Sequence, residues 1–145
     1  MSLIKLIKFE IVTPERVLTK EMVKSITTPT KEGIITILPR HIPLVGILVP
    51  GIIEYKKEND EIGMMSVSGG FVEVLREKVV ILADTAERAD EIDLERAEQA
   101  RKRAEEAKER AENQSDVDFA GISAQLEKEL ARVKVAKKWR NLRKR

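Results

Sequence analysis

The chain has no cysteine and a single histidine, His41, among its 145 residues. Disulfides, thiol nucleophiles and cysteine-held zinc or iron-sulfur centres are thereby excluded, and one histidine does not build a histidine-based metal site, so none is expected. Aromatic residues are equally scarce at 3%, which leaves the core to Ile, Val and Leu. No apolar run approaches the roughly 20 residues that a helix needs to cross a bilayer. Residues 1–10 alternate apolar side chains with Lys5 and Lys8 and lack a continuous apolar stretch before a small-residue cleavage site. They do not read as a signal peptide, and a cytoplasmic address is the expectation. There is no Gly-rich phosphate loop of the P-loop type. His41, set between Pro39 and Pro43, has no Ser and Asp arranged with it as a triad, and Ser68-Gly69-Gly70 lacks the surroundings of a nucleophile elbow. No catalytic residue is assigned. The two glycines are read instead as a bend that brings strands close.

Charge is abundant, 36% of residues, and unevenly placed. From Arg132 to Arg145 there are eight Lys or Arg and no acid; without them the chain holds 19 basic and 25 acidic residues, a body of −6 with a basic tail. Such a tail seeks an acidic partner.

Two sequence grammars follow one another. Up to about Ala86, apolar residues recur with period two or in short β-branched runs, as in Ile7-Lys8-Phe9-Glu10-Ile11-Val12 and Val72-Glu73-Val74-Leu75. Turn signals at Thr13-Pro14, Lys31-Glu32-Gly33, Pro39, Pro43, Pro50-Gly51 and Gly69-Gly70 cut this stretch into many short strands. The expected fold class is α+β: an antiparallel β-sandwich or flattened barrel over residues 1–88, then a two-helix hairpin over 89–145. The helices are expected at about 93–113 and 116–142. Asp93 is the expected N-cap of the first, with Ile92 packing on Ala97 as a small staple. Ser115-Asp116-Val117-Asp118 offers a start to the second.

Along the first helix Ala97, Ala100, Ala104, Ala107 and Ala111 fall at alternating steps of three and four. Glu98 with Lys102 and Glu106 with Arg110 are expected to flank this seam as supporting pairs. The second helix presents Phe119, Ile122, Leu126, Leu130 and Val133 as its expected apolar stripe. At about 0.8 kcal/mol per buried methyl-sized group, five alanines stabilise their contact by only a few kcal/mol before entropy is subtracted. A seam this weak suits a hairpin that leaves one seat for another; an Ala-rich helix packed closely on its neighbour and simply rigid is the equal alternative.

Several motifs occur together in order. Ile37-Leu38-Pro39-Arg40-His41-Ile42-Pro43-Leu44 is followed by Leu48-Val49-Pro50-Gly51, Ser68-Gly69-Gly70-Phe71-Val72-Glu73-Val74 and Val79-Val80-Ile81-Leu82-Ala83-Asp84-Thr85-Ala86. This set resembles the epsilon subunits of bacterial F-type ATP synthases over nearly the whole chain. Thr36 departs from it, since many members carry Gly just before Ile-Leu-Pro. The resemblance implies a non-catalytic rotor subunit on the cytoplasmic face of the bacterial inner membrane, peripheral to the bilayer. Its sandwich would sit on the gamma subunit and the ring of c subunits, coupling ion-driven rotation, by protons or sodium, to ATP synthesis. Its hairpin would lie compact or extend toward the alpha and beta subunits and hinder ATP hydrolysis. Under the resemblance, Lys31, Glu32, Arg40 and His41 are candidate interface residues of the sandwich, and Arg132, Lys134, Lys138 and Arg140 of the tail, which would meet an acidic loop of beta. For the tail, a solvated helix end favoured by the helix dipole is the plainer reading.

In several bacterial members of this family Ile/Leu-Asp-x-x-Arg-Ala is associated with ATP binding, and the chain carries Ile92-Asp93-Leu94-Glu95-Arg96-Ala97. The resemblance therefore implies a regulatory ATP site with Glu87, Ile92, Asp93, Arg96, Ala97, Arg103, Lys128 and Arg132, no cofactor being required. Lys128 stands where good binders have Arg, a point charge in place of a planar fork. The structural alternative is that Asp93 caps a helix while Arg96 and Arg103 are solvated. A rival from a different class is a nucleic-acid-binding adaptor, in which the basic tail grips phosphates and Trp139 stacks on bases. The acidic body and the lack of aromatics argue against nucleic acid as a partner.

Overall fold

A computed structural model of the protein describes residues 5–114 and 117–144. Nine strands come first: β1 (Ile7–Val12), β2 (Val17–Thr30), β3 (Gly33–Ile37), β4 (Leu44–Leu48), β5 (Gly51–Lys57), β6 (Ile62–Val67), β7 (Gly70–Val74), β8 (Lys78–Ala83) and β9 (Ala86–Arg88). A single 3-10 turn at Ala89–Glu91 leads to α1 (Leu94–Glu112) and α2 (Phe119–Arg143). The expected sandwich followed by a helical hairpin is therefore what the chain forms.

The long strand β2 closes the sheet on itself. Its first half pairs with β1, its second half with β3 and β5, and at Thr30 it meets β4. Strands β4, β7 and β8 complete the circuit back to β1, and β6 and β9 extend the other layer from β5. Every pairing is antiparallel except β1 with β8. The interior holds Phe9, Ile11, Ile26, Ile53, Met65, Val72 and Ile81, all with essentially no exposure. Period-two alternation puts these residues inward, and on β6 the alternate positions Met64 and Ser66 are buried as well. One aromatic contact, Phe9 on Tyr55 at 5.1 Å, is the ring component of this aliphatic core. Thr36 lies within β3, where its hydroxyl and that of Thr27 opposite share a hydrogen bond of 2.9 Å, so the departure from Gly is absorbed by a cross-strand pair.

The Gly69-Gly70 bend has a definite steric reason. Gly70 has φ 125°, and a Cβ there would run into the carbonyl oxygen of Leu82 on β8. Gly70→Ala combines a left-handed backbone with a backbone collision, so a loss of about 2–4 kcal/mol of stability is expected. Urea denaturation of the full chain measures it.

Both helices begin on an aspartate. The Asp93 carboxylate accepts from the Arg96 backbone N–H at 3.2 Å, as expected, and Asp118 accepts from that of Gly121 at 3.0 Å. The second helix thus starts at Phe119; Ser115 and Asp116 of the expected start lie outside the described residues. The helices run antiparallel, since Lys137 pairs with Glu98 near one end and Lys108 lies over the Phe119 ring near the other.

Several local expectations are corrected. Ala97, Ala104 and Ala111 are buried, but Ala100 and Ala107 only partly. On α2 only Val133 of the expected stripe is buried, while Phe119 and Leu130 are exposed. The buried set is Glu129, Ala131, Val133, Val135 and Ala136. This helix is contacted both by α1 and by β5 and β6, so it buries two lines of small residues instead of one stripe of large ones. Ile92 packs with Met64, Ala89 and Val135 under the hairpin. Arg101, with Glu98 and Glu105, forms the helical ion-pair ladder in place of the expected Glu98–Lys102 and Glu106–Arg110 pairs.

Candidate functional site

The hairpin rests on the sandwich through a small apolar patch and a few ion pairs. Met64 of β6, Ala89 and Val135 of α2 form its buried centre, with Ile52, Ile62, Ile92 and Trp139 around them. This cluster is separate from the sandwich interior. Beside it Arg132 donates to Glu87 through Nε at 2.7 Å and Nη2 at 3.3 Å, and to Glu129 through Nη1 at 2.8 Å. Glu129 is 5% exposed and also accepts from Gln125 at 2.8 Å. The Glu87 carboxylate is the main reason that Arg132 holds its proton even more firmly than an ordinary guanidinium. Lys138 reaches Glu54 of β5 at 2.9 Å.

Of the residues assigned to a nucleotide site, Glu87, Lys128 and Arg132 line one cleft of about 140 Å³ with Ser66, Ser68 and Thr85. Asp93 is engaged as a helix cap, Ala97 is buried, Ile92 belongs to the apolar patch, and Arg96 and Arg103 are exposed. The cleft is smaller than the ~300 Å³ at which small-molecule pockets begin, so a nucleotide there would require Arg132 to leave its two carboxylates. Of the tail residues, Arg132 and Lys138 are paired within the chain, while Lys134 and Arg140 are exposed. The acidic partner of the tail is thus partly the chain itself. Lys31 and Glu32 are exposed in the β2–β3 turn; Arg40 is exposed, and His41 Nδ1 lies 2.8 Å from the Ile42 carbonyl oxygen.

Lys137 Nζ binds Glu98 at 3.0 Å, tying α2 to α1. Lys137, then Arg101, hold the Glu98 carboxyl below its ordinary value of 4.5. A depressed carboxyl stabilises the fold at pH above its ordinary value, and that contribution is lost as pH falls through the lower folded value. The hairpin is accordingly expected to lose hydrogen-exchange protection as pH falls below the ordinary carboxyl value of 4.5, and Glu98→Gln to flatten that dependence.

Alternation of the sequence did not disclose a further surface on the sandwich. Ile47 of β4 lies opposite Phe71 of β7, which lies opposite Leu82 of β8. The three side chains form one row across three strands and are 51%, 52% and 46% exposed, with exposed Val45 two residues along β4 from Ile47. Such contiguous exposed apolar side chains form a candidate contact surface. The available signal was the run Leu44-Val45-Gly46-Ile47-Leu48, which is apolar at inward and outward positions alike.

This arrangement has close parallels. Residues 6–89 match the family described as ATP synthase, Delta/Epsilon chain, beta-sandwich domain, and residues 90–137 match its long alpha-helix domain. The chain belongs to the ATP synthase delta/epsilon family. It is 55% identical over 130 residues to an ATP synthase epsilon chain of Chloroflexus aggregans, covering 90% of this chain and 91% of the relative. It is 49% identical over 135 residues to that of Herpetosiphon aurantiacus, covering 93% and 97%. Among solved structures, a chain of the Euglena gracilis mitochondrial ATP synthase, described as OSCP/F1/c-ring in rotational state 1, superposes with a TM-score of 0.75 at 28% identity, covering 94% of this chain and 84% of that one. A chain of the Tetrahymena thermophila enzyme's central stalk and c-ring shares the fold at TM-score 0.57 and 17% identity. Epsilon chains of this kind are subunits of a larger complex. No helix among the described residues is long and apolar enough to cross a membrane.

Proposed function

We propose that the chain is a non-catalytic rotor subunit of an F-type ATP synthase, peripheral to the bacterial inner membrane. Its sandwich docks on the gamma subunit and the c ring, and its hairpin restrains ATP hydrolysis at the alpha and beta subunits. The observation that carries the docking role is the open apolar row Ile47, Phe71 and Leu82, which water leaves unsatisfied and a rigid partner would cover.

The hairpin reading rests on how little holds α2 to the sandwich. The patch around Val135 is small, and Trp139 Nε1 is buried there without a partner. An unsatisfied buried N–H costs about 1–3 kcal/mol, which undocking recovers as hydration. Released from the sandwich carboxylates Glu87 and Glu54, Arg132 and Lys138 would present cations to an acidic surface of the catalytic subunits. ATP acts in this reading as a ligand of the compact state, exchanging its phosphates for the Glu87 and Glu129 carboxylates on Arg132 and engaging Lys128.

Deleting 118–145 tests the inhibitory role in the assembled complex: assembly is expected to survive and ATP hydrolysis to rise severalfold. Unchanged hydrolysis would remove the inhibitory role and spare the docking one. Titration of the isolated chain with ATP, with Arg96→Ala and Arg132→Ala as controls, tests the ligand. Saturable binding lost in both variants supports it, and no binding at millimolar ATP sinks it.

A further inference from the structure

At the end of the sandwich that carries the β7–β8 turn, Lys5, Lys8, Arg40, Arg76 and Lys78 line one cleft of about 450 Å³, with Glu77 as its only carboxylate and Leu6, Met22 and Pro39 as its apolar wall. Lys78 is partly neutralised by Glu10 at 3.3 Å. Among the described residues, Lys5, Lys8, Arg40 and Arg76 have no ion-pair partner, although eleven such pairs form outside the cleft. Four unpaired cations round one concavity repel one another and focus a positive potential into it.

A second feature points the same way. Arg40 adopts φ 65°, a left-handed conformation that glycine would take without strain. The turn is closed by the His41 N–H donating to the Leu38 carbonyl at 3.2 Å. The chain thus carries a guanidinium, at a steric cost, in the lining of the cleft.

We infer that this cleft binds the phosphate of a phosphate ester whose aliphatic portion rests on Leu6, Met22 and Pro39. A carboxylate would neutralise a single cation, whereas a phosphate brings up to two charges and three strong acceptor oxygens to two guanidinium forks and two ammonium groups. The volume lies within the range of small-ligand sites, and no aromatic side chain is present in the lining to stack a base. This site is separate from the one assigned to ATP at Glu87, Lys128 and Arg132; it shares Arg40 with the candidate interface of the sandwich, and its test uses the free chain.

The ester can be soluble or the headgroup of a phospholipid, and two arms separate these sources. In one, the full chain is titrated with glycerol 3-phosphate and followed by amide NMR. In the other, its binding to phosphatidylglycerol vesicles is compared with binding to phosphatidylcholine vesicles. Each arm is repeated with Lys8→Gln/Arg76→Gln and with Lys102→Gln/Arg110→Gln, which removes equal charge from α1. Saturable shifts at Lys8, Arg40 and Arg76 to Lys78, weakened about tenfold or more in the cleft variant only, establish a soluble ester. Vesicle binding with the same selective loss, and no response to glycerol 3-phosphate, assigns a lipid headgroup. No binding in either arm, or equal loss in both variants, overturns the site.

Discussion

Phe71→Glu is expected to abolish co-purification of the chain with the gamma subunit while leaving its own fold intact. Phe71 occupies the middle of the row Ile47, Phe71 and Leu82, so a partner covering the row covers it first. A carboxylate covered there would find no cation in its own cross-strand neighbours, Ile47 and Leu82. The loss amounts to about 3 kcal/mol or more, a hundredfold or more in affinity. The ring is half exposed in the free chain, so unfolding should shift by no more than about 1 kcal/mol from the lost cross-strand pairs. The two readouts together, pull-down with gamma and urea denaturation alone, make the test specific. Normal co-purification by the folded variant would show that gamma docks elsewhere.

Val135→Asp should release the hairpin without unfolding the sandwich. Val135 is fully buried against Met64 and Ala89, and burial of its side chain is worth about 1.5–3 kcal/mol relative to exposure. An unpaired carboxylate at that position adds a further penalty of several kcal/mol, more than so small a patch offsets. The sandwich keeps its own core, which contains none of these three residues. Trp139, the only tryptophan, packs on the same patch and reports the event directly. Its emission should move to the red on substitution, while amide protection of β1, β2, β7 and β8 stays at wild-type levels. If the emission is unchanged, or the strands lose protection together with the helices, the two parts form one cooperative unit and the detachable hairpin is wrong.

The places where sequence and structure part company share a cause. Asp93 was legible as a cap because capping is local: the carboxylate reaches an N–H three residues away. The second helix is less legible, because its apolar periodicity by itself describes a single stripe of large residues. The tertiary arrangement sets it against α1 and the β5–β6 layer at once and leaves Phe119 and Leu130 to solvent. The ion pairs behave likewise. Glu87 and Arg132 are 45 residues apart, and nothing local says that the cation will take that carboxylate. The basic tail read as seeking an external partner because intramolecular partners at Glu54, Glu87 and Glu98 lie on other elements.

The sequence by itself determined the sandwich, the change to helix near Asp93, the family and the absence of cysteine chemistry. These follow from period, propensity, ordered motifs and composition, all carried by neighbouring residues or by simple counts. Only the tertiary structure decided which apolar residues stay exposed in a row across β4, β7 and β8, which cations are paired, and that Lys5, Lys8, Arg40 and Arg76 meet at one cleft. Those depend on strand register and helix docking, where side chains distant in sequence are set within a few ångströms of each other and their charges and contacts first become mutual.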